Sequence, residues 1–552
     1  MAEQLIQYDG TEYRAVKEGL AYILNPPAQA PGTKRDRKAD EQSQSVFYNP
    51  IQQFNRDLSV LAIRAYGEHL LALKKQKAEK KKQKAAANDS AKGKKRKREE
   101  VDGKEQTQDQ NQGQGDQTAA QQAEQDTAPS FTILDALSAT GLRALRYASE
   151  IPFTSCVVAN DLSPSAIESM KTNIKYNSLG EKIRPNTGDA RSYIHLGKFD
   201  VIDLDPYGSA APFMDAAVQG VKDGGLLCVT CTDAGVWASY GYPEKSFALY
   251  GGIPVKGPHC HEGGLRLILH GLAASAAKYG LAIEPLLSLS IDFYARVFVR
   301  VHRSPAEVKY ISGNMMMVYN CDAGCGAWST QPITQTKQKL DKKGNPFYHF
   351  GFAQGPVADS RCGHCGSRTH LSGPMWAGPL HNAQFIRRIL DMLPQADRNV
   401  YHTIDRIEGM LTTAMEEDLN LGISKYPFYF SLSALSKVLH TSTISIDAMR
   451  GAIRHLGYRS TRSHARPNTI RTDAPWEVIW EIMREWVRQK SPIREGALKP
   501  GSPGAVIIPH PSTLEVVFDE ALGRETAKKR LVRYQINPRE NWGPLSRASG
   551  GK

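Results

Sequence analysis

The segment Val201-Ile-Asp-Leu-Asp-Pro-Tyr-Gly208 joins an apolar run to a polar, turn-forming end. Short apolar runs bounded by turn residues are typical of buried strands. Pro206 fixes its own φ angle and has no backbone N–H, and Gly208 permits a sharp change of backbone direction. The segment therefore predicts a buried strand that delivers the carboxylate of Asp205 and the ring of Tyr207 to the edge of a sheet.

Further strands and helices alternate on both sides of this segment. Strands are predicted over residues 131–134, 156–159, 183–187, 199–204 and 226–230, and helices over 141–150, 163–176 and 212–221. This alternation is typical of an α/β fold with a doubly wound, mostly parallel sheet that binds ligands at the carboxyl ends of its strands. Residues 286–292 and 295–302 are expected to close the sheet as an antiparallel pair.

Acidic residues follow four successive predicted strands, namely Asp135, Asp161, Asp189 and Asp205. A single acid at a strand end is ordinarily a turn or cap residue, but four along one edge indicate a ligand site. The turn over residues 138–143 is rich in small residues and opens a helix, whose N-terminus favours a carboxylate. Asp161 is placed to accept ribose hydroxyls, and Asp189 with Ala190 to hold an adenine amino group. The set fits S-adenosylmethionine, a nucleoside that carries a charged amino acid.

These residues occur with Phe47-Tyr-Asn-Pro50 and Phe54–Ser59 upstream and Asn468–Asp473 downstream. Together they resemble the eukaryotic and archaeal tRNA guanine-26 N2-dimethyltransferase family, over about residues 1–70 and 130–550. The resemblance implies a class I S-adenosylmethionine-dependent methyltransferase fold with a C-terminal α+β RNA-binding domain. It also implies methylation, usually twice, of the exocyclic amine of guanine 26 in tRNA.

The resemblance further assigns roles to individual side chains. Arg56 and Arg143 would hold the methionine end of S-adenosylmethionine, Asp161 the ribose, and Asp189 with Ala190 the adenine. Asp205 would be the catalytic acceptor for the amine proton, with the carbonyl of Pro206 as a second acceptor, and Phe47 and Tyr207 would enclose the guanine. Tyr207 stands where some relatives have Phe, and the flat ring is retained.

Four of the eight cysteines form two close pairs, Cys321-x3-Cys325 and Cys362-x2-Cys365, which are 36 residues apart. Four thiolates in two pairs match a structural tetrahedral Zn²⁺ site, which leaves no open position for catalysis. Four reduced structural cysteines without metal, or His364 as one of the ligands, are the alternatives.

The net charge of +13 is distributed unevenly along the chain. Residues 74–98 contain 13 Lys or Arg and 2 acidic residues, whereas residues 99–126 contain 8 acidic residues and 1 Lys. Their low apolar content predicts a disordered insertion over 74–129. The run Lys92–Arg98 is typical of a nuclear import signal, although a solvated linker has the same composition. We therefore expect nuclear localisation and contact with the import machinery, with a mitochondrial pool left open.

A second basic region lies near the C-terminus. Residues 432–440 and 445–456 predict two short helices with a tight turn, as in helix-turn-helix or winged-helix elements. Arg454, Arg459, Arg462 and Arg466 are the predicted tRNA contacts in this region. An ordinary solvated basic surface is the alternative. A further helix is predicted over 473–488, capped by Asp473 and packed through an apolar stripe.

Five regions follow from these patterns. They are an N-terminal segment packed on the methyltransferase core (1–73), the charged insertion (74–129), the methyltransferase domain (130–310), a zinc-binding module (311–379) and a tRNA-binding domain (380–552).

No apolar run reaches the roughly 18–20 residues that a membrane span needs. We expect a monomer. Methylation of amino groups in DNA or protein, and RNA binding without catalysis, remain alternative functions.

Overall fold

The computed structural model describes residues 4–25, 48–99, 130–421, 426–525 and 530–535. Its N-terminal part is a three-stranded antiparallel sheet of β1 (Gln4–Tyr8), β2 (Thr11–Glu18) and β3 (Ala21–Asn25), followed by the long helix α1 (Gln53–Glu99). The predicted disordered insertion is therefore wrong over residues 74–99, where the backbone continues α1. Residues 100–129 and Phe47 lie outside the described ranges, as do the side chains of Lys92–Arg98.

The central region alternates strands and helices along the chain. Its elements are β4 (Thr132–Asp135), α2 (Leu142–Glu150), β5 (Cys156–Asp161), α3 (Pro164–Tyr176), β6 (Ile183–Thr187), α4 (Ala190–His195), β7 (Phe199–Leu204), α5 (Ala211–Gly220), β8 (Val221–Cys231), α6 (Ala234–Trp237), α7 (Pro243–Tyr250), α8 (Cys260–Ala277), β9 (Leu281–Ile291) and β10 (Tyr294–Arg303). They form a seven-stranded sheet in the order β6-β5-β4-β7-β8-β10-β9. Within this sheet, β10 runs antiparallel to both of its neighbours, and the other pairs are parallel. The predicted doubly wound, mostly parallel sheet is confirmed.

Two hydrophobic cores cover the two faces of this sheet. All six residues of β7 are buried, and burying an aliphatic side chain such as Ile202 stabilises the fold by about 1.5–3 kcal/mol. One core packs α1, α2 and α3 against the sheet, and the other packs α5 and α8 against the opposite face. The carboxyl edge of the sheet stays open between these layers, as in other doubly wound folds.

The cysteine-containing region is built from α9 (Pro305–Val308), β11 (Met315–Asn320), β12 (Trp328–Pro332), β13 (Thr334–Leu340), β14 (Pro346–Phe352) and β15 (His370–Trp376). The strands β12, β11 and β15 form one antiparallel sheet. The strands β13 and β14 form a separate hairpin, which occupies much of the 36-residue gap between the two cysteine pairs.

The C-terminal elements are α10 (Ala383–Met392), α11 (Ile404–Leu421), β16 (Phe430–Ser431), α12 (Leu432–Leu439), α13 (Ile446–His455), β17 (Ser460–Thr461), β18 (Thr469–Thr472), α14 (Trp476–Gln489), α15 (Pro503–Ile507) and α16 (Glu520–Gly523). The sheet order β16-β18-β17 beside α12 and α13 is that of a winged helix, with residues 462–468 as the wing. No helix within the described ranges combines the length and apolar character needed to cross a bilayer.

Two expectations for this region need correction. The helices α10 and α11 bury Phe385 and Leu411 in the core that contains α1 and α2. These two helices therefore pack with the central region, although the expected domain boundary at residue 380 assigns them to the C-terminal domain. The helix over 476–489 has Pro475, not Asp473, at its N-cap. The Asp473 carboxylate instead accepts hydrogen bonds from the backbone N–H and the guanidinium of Arg459. Of the apolar stripe, Ile479, Trp480 and Met483 are buried, and Trp476 and Val487 are half-buried.

Candidate functional site

The four strand-end acids lie along one edge of the sheet. Asp135 is the last residue of β4, Asp161 the last of β5, and Asp205 follows β7 directly. Asp189 follows β6 and caps α4 by accepting from the N–H of Arg191. Since these parallel strands are neighbours in the order β6-β5-β4-β7, the structure places the acids in the order 189, 161, 135 and 205 across the carboxyl edge.

Hydrogen bonds fix the loop that joins β4 to α2. The N–H of Ala139 donates to Asp161 Oδ2 at 2.9 Å, and the N–H of Ser138 donates to the carbonyl of Asn160 at 2.8 Å. Ala139 and Gly141 both have positive φ, at 48° and 81°. A non-glycine residue in this region is strained, and such strain clusters at ligand sites. The loop is therefore shaped before any ligand arrives.

Asp135 has a buried oxygen with no protein partner. Its Oδ2 accepts from the hydroxyl of Ser138, while Oδ1 is buried and unpaired among the described residues. Burial, followed by the neighbouring charge of Asp203, raises the pKa of Asp135 to about 7. A buried unpaired carboxylate oxygen is costly unless a donor or cation meets it. Sequence reasoning assigned this residue no individual role, because nothing local distinguishes it from the other strand-end acids.

The two predicted cofactor arginines have protein partners. Arg56 donates through Nε and Nη2 to Glu18, both at 2.6 Å, and through Nη2 to the carbonyl of Asn49. Arg143 donates through Nε to Asp205 Oδ2 at 2.7 Å and lies 3.5 Å from Asp203. These contacts use only part of the five N–H donors of each guanidinium, so a role for either side chain at the methionine end stays a prediction. Arg56 also anchors α1 to β2, and Arg143 orients Asp205.

A buried hydrogen-bond network holds Arg143 in place. Asp203 is fully buried and accepts from Arg296 Nη1 at 2.7 Å and from the hydroxyl of Tyr147. Burial alone would raise the pKa of Asp203, but Arg296 and Arg143 hold it below its usual value. Arg296 also donates to the hydroxyl of Ser59 at 2.8 Å. The network is fully internal, so it fixes Arg143, and through it Asp205, in one orientation.

The loop after Asp205 presents one ring to solvent. Pro206 is buried, whereas the side chain of Tyr207 is 81% exposed. Gly208 has a φ of 87°, and its N–H donates to the hydroxyl of Thr232 at 2.7 Å. Because the backbone is held at Gly208, the exposed ring stands beside the Asp205 carboxylate. An acceptor beside a flat ring suits a planar base that presents an amine.

The remaining predicted cofactor residues lie at the same edge. Asp161 is half-buried, and each carboxylate oxygen already accepts one backbone N–H, from Ala139 or from Ser163. A carboxylate oxygen can accept two hydrogen bonds, so both retain capacity for ribose hydroxyls. Asp189 also pairs with Arg191 at 2.6 Å, and Ala190 is buried at the start of α4.

The four predicted zinc ligands come together. The Sγ atoms of Cys321, Cys325, Cys362 and Cys365 all lie within 4.8 Å of one another and are buried. The Cys321–Cys365 and Cys325–Cys362 distances are 3.4 and 3.6 Å, near the roughly 3.8 Å between thiolates of a tetrahedral site with 2.3 Å Zn–S bonds. His364, the alternative ligand, has Nε2 at 3.9 Å from Glu477 instead.

Each cysteine pair lies in a turn that is closed by a glycine. Each pair is followed by glycine with positive φ, Gly326 at 84° and Gly366 at 70°. The N–H of Gly326 donates to the Cys321 carbonyl at 2.9 Å, and that of Gly366 donates to the Cys362 carbonyl at 2.8 Å. Two glycine-closed turns that bring four thiols together favour a metal over four independent core cysteines.

A second cluster, His381, Glu417 and His464, also brings ligand atoms within 4.8 Å. The backbone N–H of Ser288 donates to His381 Nδ1, and that of Ser290 donates to His464 Nε2. Each ring nitrogen that accepts these bonds is unprotonated, so the opposite nitrogen, which faces the cluster, carries hydrogen. The burial of His381 lowers its pKa well below the usual range, and the ring is neutral. The donor set is therefore unsuitable for a metal.

A buried cluster of charges, the Glu262–Arg471 cluster, joins α8 of the central region to β18 of the winged helix. Glu262 pairs with Arg471 Nη2 and with Arg266 at 2.8 Å, and Arg471 also lies 3.3 Å from Glu417. Burial would raise the pKa of Glu262, but the two arginines lower it to about 2. The cluster fixes the winged helix against the central sheet region.

The predicted tRNA-contact arginines are mostly engaged within the protein. Arg454 donates to the carbonyl of Leu522 at 2.7 Å, Arg459 to Asp473 and Arg462 to Glu525, each at 2.8 Å. Arg466 lies exposed on the wing. The structure thus brings Arg462 and Arg466 together on one loop but leaves Arg466 as the more accessible cation.

Known proteins are similar to this chain over most of its length. The family model described as N2,N2-dimethylguanosine tRNA methyltransferase matches residues 31–484. The Schizosaccharomyces pombe protein named tRNA (guanine(26)-N(2))-dimethyltransferase is 43% identical over 506 residues, which cover 91% of this chain and 89% of the relative. A Saccharomyces cerevisiae relative of that name, designated mitochondrial, is 40% identical and covers 97% and 92% of the two chains.

A solved structure gives the same result in three dimensions. Trm1 from Pyrococcus horikoshii, in complex with S-adenosyl-L-methionine, is similar with a TM-score of 0.57 and 25% identity, over 85% of this chain and 98% of that one. One family thus matches most of the length of this chain. The matched part includes the strand-end acids, the loop between β4 and α2 and the seven-stranded sheet. This chain belongs to the N2,N2-dimethylguanosine tRNA methyltransferase family.

Proposed function

We propose that this protein transfers methyl groups from S-adenosylmethionine to the exocyclic N2 of guanine 26 in tRNA, giving N2-methyl- and N2,N2-dimethylguanosine. The observation that carries this proposal is the Asp205 carboxylate, held by Arg143 beside the exposed ring of Tyr207. The names of the relatives give the same substrate and position.

The experiment that tests the proposal is mass spectrometry of nucleosides from a defined tRNA incubated with the purified protein and S-adenosylmethionine. Mono- and dimethylguanosine are expected at nucleotide 26, and a transcript with adenosine in place of guanosine at that nucleotide is expected to remain unmethylated. Methylation of the adenosine-containing transcript to the same extent, or of DNA or protein instead of tRNA, contradicts the proposed substrate.

The residues at the edge of the sheet fit S-adenosylmethionine. The unpaired Asp135 Oδ1 suits a positively charged group, and the loop at residues 138–141 can approach a ligand closely because its side chains are small. We propose that Asp161 accepts the ribose hydroxyls and that Asp189 with Ala190 holds the adenine. We propose that Arg56 and Arg143, whose guanidinium groups also contact Glu18 and Asp205, hold the methionine end.

The transfer step needs an acceptor for a proton. When bound, the sulfonium supplies an electrophilic methyl group, and its sulfur keeps the electron pair as the C–S bond breaks. The 2-amino group of guanine is a weak nucleophile, because its lone pair is delocalised into the ring. As N2 forms its bond to carbon it becomes positive, and we propose that Asp205 accepts the N–H proton. The Pro206 carbonyl would accept a hydrogen bond from the second N–H.

The base must leave the tRNA stack to reach Asp205. We propose that Tyr207, with Phe47, covers the faces of the extruded guanine, as enzymes that modify a base generally bind it outside the helix. One N–H remains after the first transfer, so the same carboxylate can serve a second one. The wing with Arg462 and Arg466 would contact phosphates, a role that fixes position but carries no sequence information.

The pH dependence of cofactor binding tests the role of Asp135. A bound cation favours the ionised carboxylate, so S-adenosylmethionine affinity should rise with pH until the pKa of about 7 and level off above it. Below that value affinity should fall by up to about tenfold per pH unit. Calorimetric titration between about pH 5.5 and 7.5 measures how affinity depends on pH. The Asp135→Asn variant should bind S-adenosylmethionine more weakly, and its affinity should not depend on pH in this range. A slope that persists in Asp135→Asn contradicts the assignment.

We propose that the four clustered cysteines hold one structural Zn²⁺. Cys365→Ser should then lose the metal and stability on the order of several kcal/mol, since ligand binding and folding are coupled in such sites. Metal analysis and thermal unfolding of the full chain measure both quantities. Cys156→Ser is the matched control, because Cys156 lies in β5 outside the cluster. Wild-type protein without bound zinc would contradict the proposal.

We also propose a separate function for each region of the chain. Residues 130–310 would carry out methyl transfer, 311–379 would bind zinc, and 380–552 would contribute the tRNA-binding winged helix, with residues 1–73 packed on the catalytic core. A nuclear pool, delivered by the import machinery through Lys92–Arg98, agrees with this activity, and the Saccharomyces cerevisiae relative is designated mitochondrial. We also propose that the protein is a monomer in solution.

A further inference from the structure

The segment between β8 and α8 carries a cluster of exposed aromatic rings at the edge of the site. Tyr240 is 72% exposed, Tyr242 51% and Phe247 57%. Isolated exposed apolar residues are common, but three rings within eight positions are a feature that needs an explanation.

Hydrogen bonds tie both ends of this segment to the loop that follows Asp205. At its start, the backbone N–H of Thr232 donates to the carbonyl of Gly208 at 2.9 Å. At its end, the hydroxyl of Tyr250 lies 2.7 Å from the hydroxyl of Ser209. The eight residues of α7 rise only about 12 Å. Tyr242 thus lies at the start of a helix about 12 Å long whose last residue contacts the loop that presents Tyr207, and Tyr240 lies two residues before it.

The segment is rigid at its base. Trp237, the last residue of α6, is fully buried, and its ring lies against Gly264 of α8, where an added Cβ would come within 2.0 Å of Trp237 Cε3. Tyr250 is buried, and its hydroxyl also donates to Asp233 at 2.9 Å. The exposed rings thus project from a fixed support and not from a loose loop.

A lysine ammonium accompanies each of the two tyrosine rings. Lys256 Nζ lies 4.9 Å from the centroid of Tyr240, and Lys245 Nζ lies 5.2 Å from the centroid of Tyr242. Lys256 also pairs with Asp322 at 3.0 Å. Rings that stack bases, alternating with cations that meet phosphates, are the arrangement by which proteins bind single-stranded nucleic acid.

We propose that Tyr240 and Tyr242, with Lys245 and Lys256, form a stacking platform for the tRNA nucleotides that lose a stacking neighbour when the guanine is extruded. Extruding a base unstacks its neighbours, and a platform at the rim of the pocket would offset that cost. This inference rests on the proposed function and names the part of the surface that receives the RNA strand beside the target base.

The test uses the full-length chain and a transcribed tRNA with guanine at nucleotide 26. The double variant Tyr240→Ala/Tyr242→Ala should bind this tRNA about tenfold more weakly for each ring lost. Its affinity for S-adenosylmethionine and its Tm should match those of the wild type, because both side chains are exposed. Tyr240→Phe/Tyr242→Phe should retain tRNA affinity, since the ring faces remain. Tyr279→Ala, which removes an exposed ring at the opposite edge of the sheet, is the matched control.

A second variant keeps the proposal testable by a different readout. Lys245→Gln should lower the slope of tRNA affinity against salt by about one counterion. Wild-type tRNA affinity in the double alanine variant overturns the platform. Failure of the wild-type protein itself to methylate guanine 26 would instead overturn the proposed function, so the two outcomes are distinguishable.

Discussion

Replacing Asp205 with alanine is expected to reduce methyl transfer to guanine 26 by about a thousandfold, within the range of a positioned proton acceptor. Affinity for S-adenosylmethionine should be nearly unchanged, because Asp161 and the loop at residues 138–141 follow β5 and β4, whereas Asp205 follows β7. The fold should also survive, since Arg143 keeps its buried partner Asp203 when Asp205 is removed. Single-turnover methylation and calorimetry on the same preparation separate the two effects.

Asp205→Asn provides the sharper comparison. An amide has the same shape and can still accept a hydrogen bond, but it cannot take a proton in the reaction. Activity near that of the alanine variant would assign the effect to proton acceptance, and substantial recovery would assign it to orientation of the amine. Near-normal turnover in Asp205→Ala would remove this residue from the mechanism altogether.

Replacing Arg471 with methionine is expected to lower the free energy of unfolding by about 3–5 kcal/mol, the usual effect of leaving a buried charge without its partner. Arg471 is fully buried and pairs with Glu262 and Glu417, which are both buried as well. Denaturant unfolding monitored by tryptophan fluorescence measures the change.

Two further variants test the cause of this effect. Arg488→Met removes an arginine of α14 whose side chain is 70% exposed and pairs with Glu485, and it should cost less than about 1 kcal/mol. Glu417→Gln combined with Arg471→Met should recover part of the lost stability, because Glu262 keeps Arg266 as a partner and Glu417 is the carboxylate left without a cation. If Arg471→Met and Arg488→Met lower the free energy of unfolding equally, burial of the ion pair does not account for the effect.

Local patterns predict the central sheet well. The bounds of β7 agree with the sequence, because it is a short apolar run bounded by turn residues. The bounds of β6 agree as well, although its five residues are mostly polar. The antiparallel pair β9 and β10 is also predicted, although each strand is longer than expected. The extension of α1 over residues 74–99 does not follow from composition, because lysine-rich stretches are typical of disordered segments and of solvated helices alike.

The partners of charged side chains are not predictable in the same way. Arg56 meets Glu18 and Arg471 meets Glu262 across long separations in the chain, and no local pattern encodes such pairs. The unpaired oxygen of Asp135 likewise depends on what surrounds it in three dimensions. Residue types at strand ends indicate where the site lies, whereas the division of roles among its arginines requires the fold.

The Glu262–Arg471 cluster also bears on how the chain folds during its synthesis. Glu262 leaves the ribosome 209 residues before Arg471, and at about 5–20 residues per second it waits about 10–40 s for its partner. During that interval Glu262 has Arg266 of its own helix as a partner, but the side of α8 that faces Arg471 has no winged helix packed on it, so the nascent catalytic region cannot reach its final packing. Chaperone binding to the nascent chain is expected in this window, and messages truncated before the codon for Arg471 should yield protein that is degraded even though every residue of the catalytic sheet is encoded.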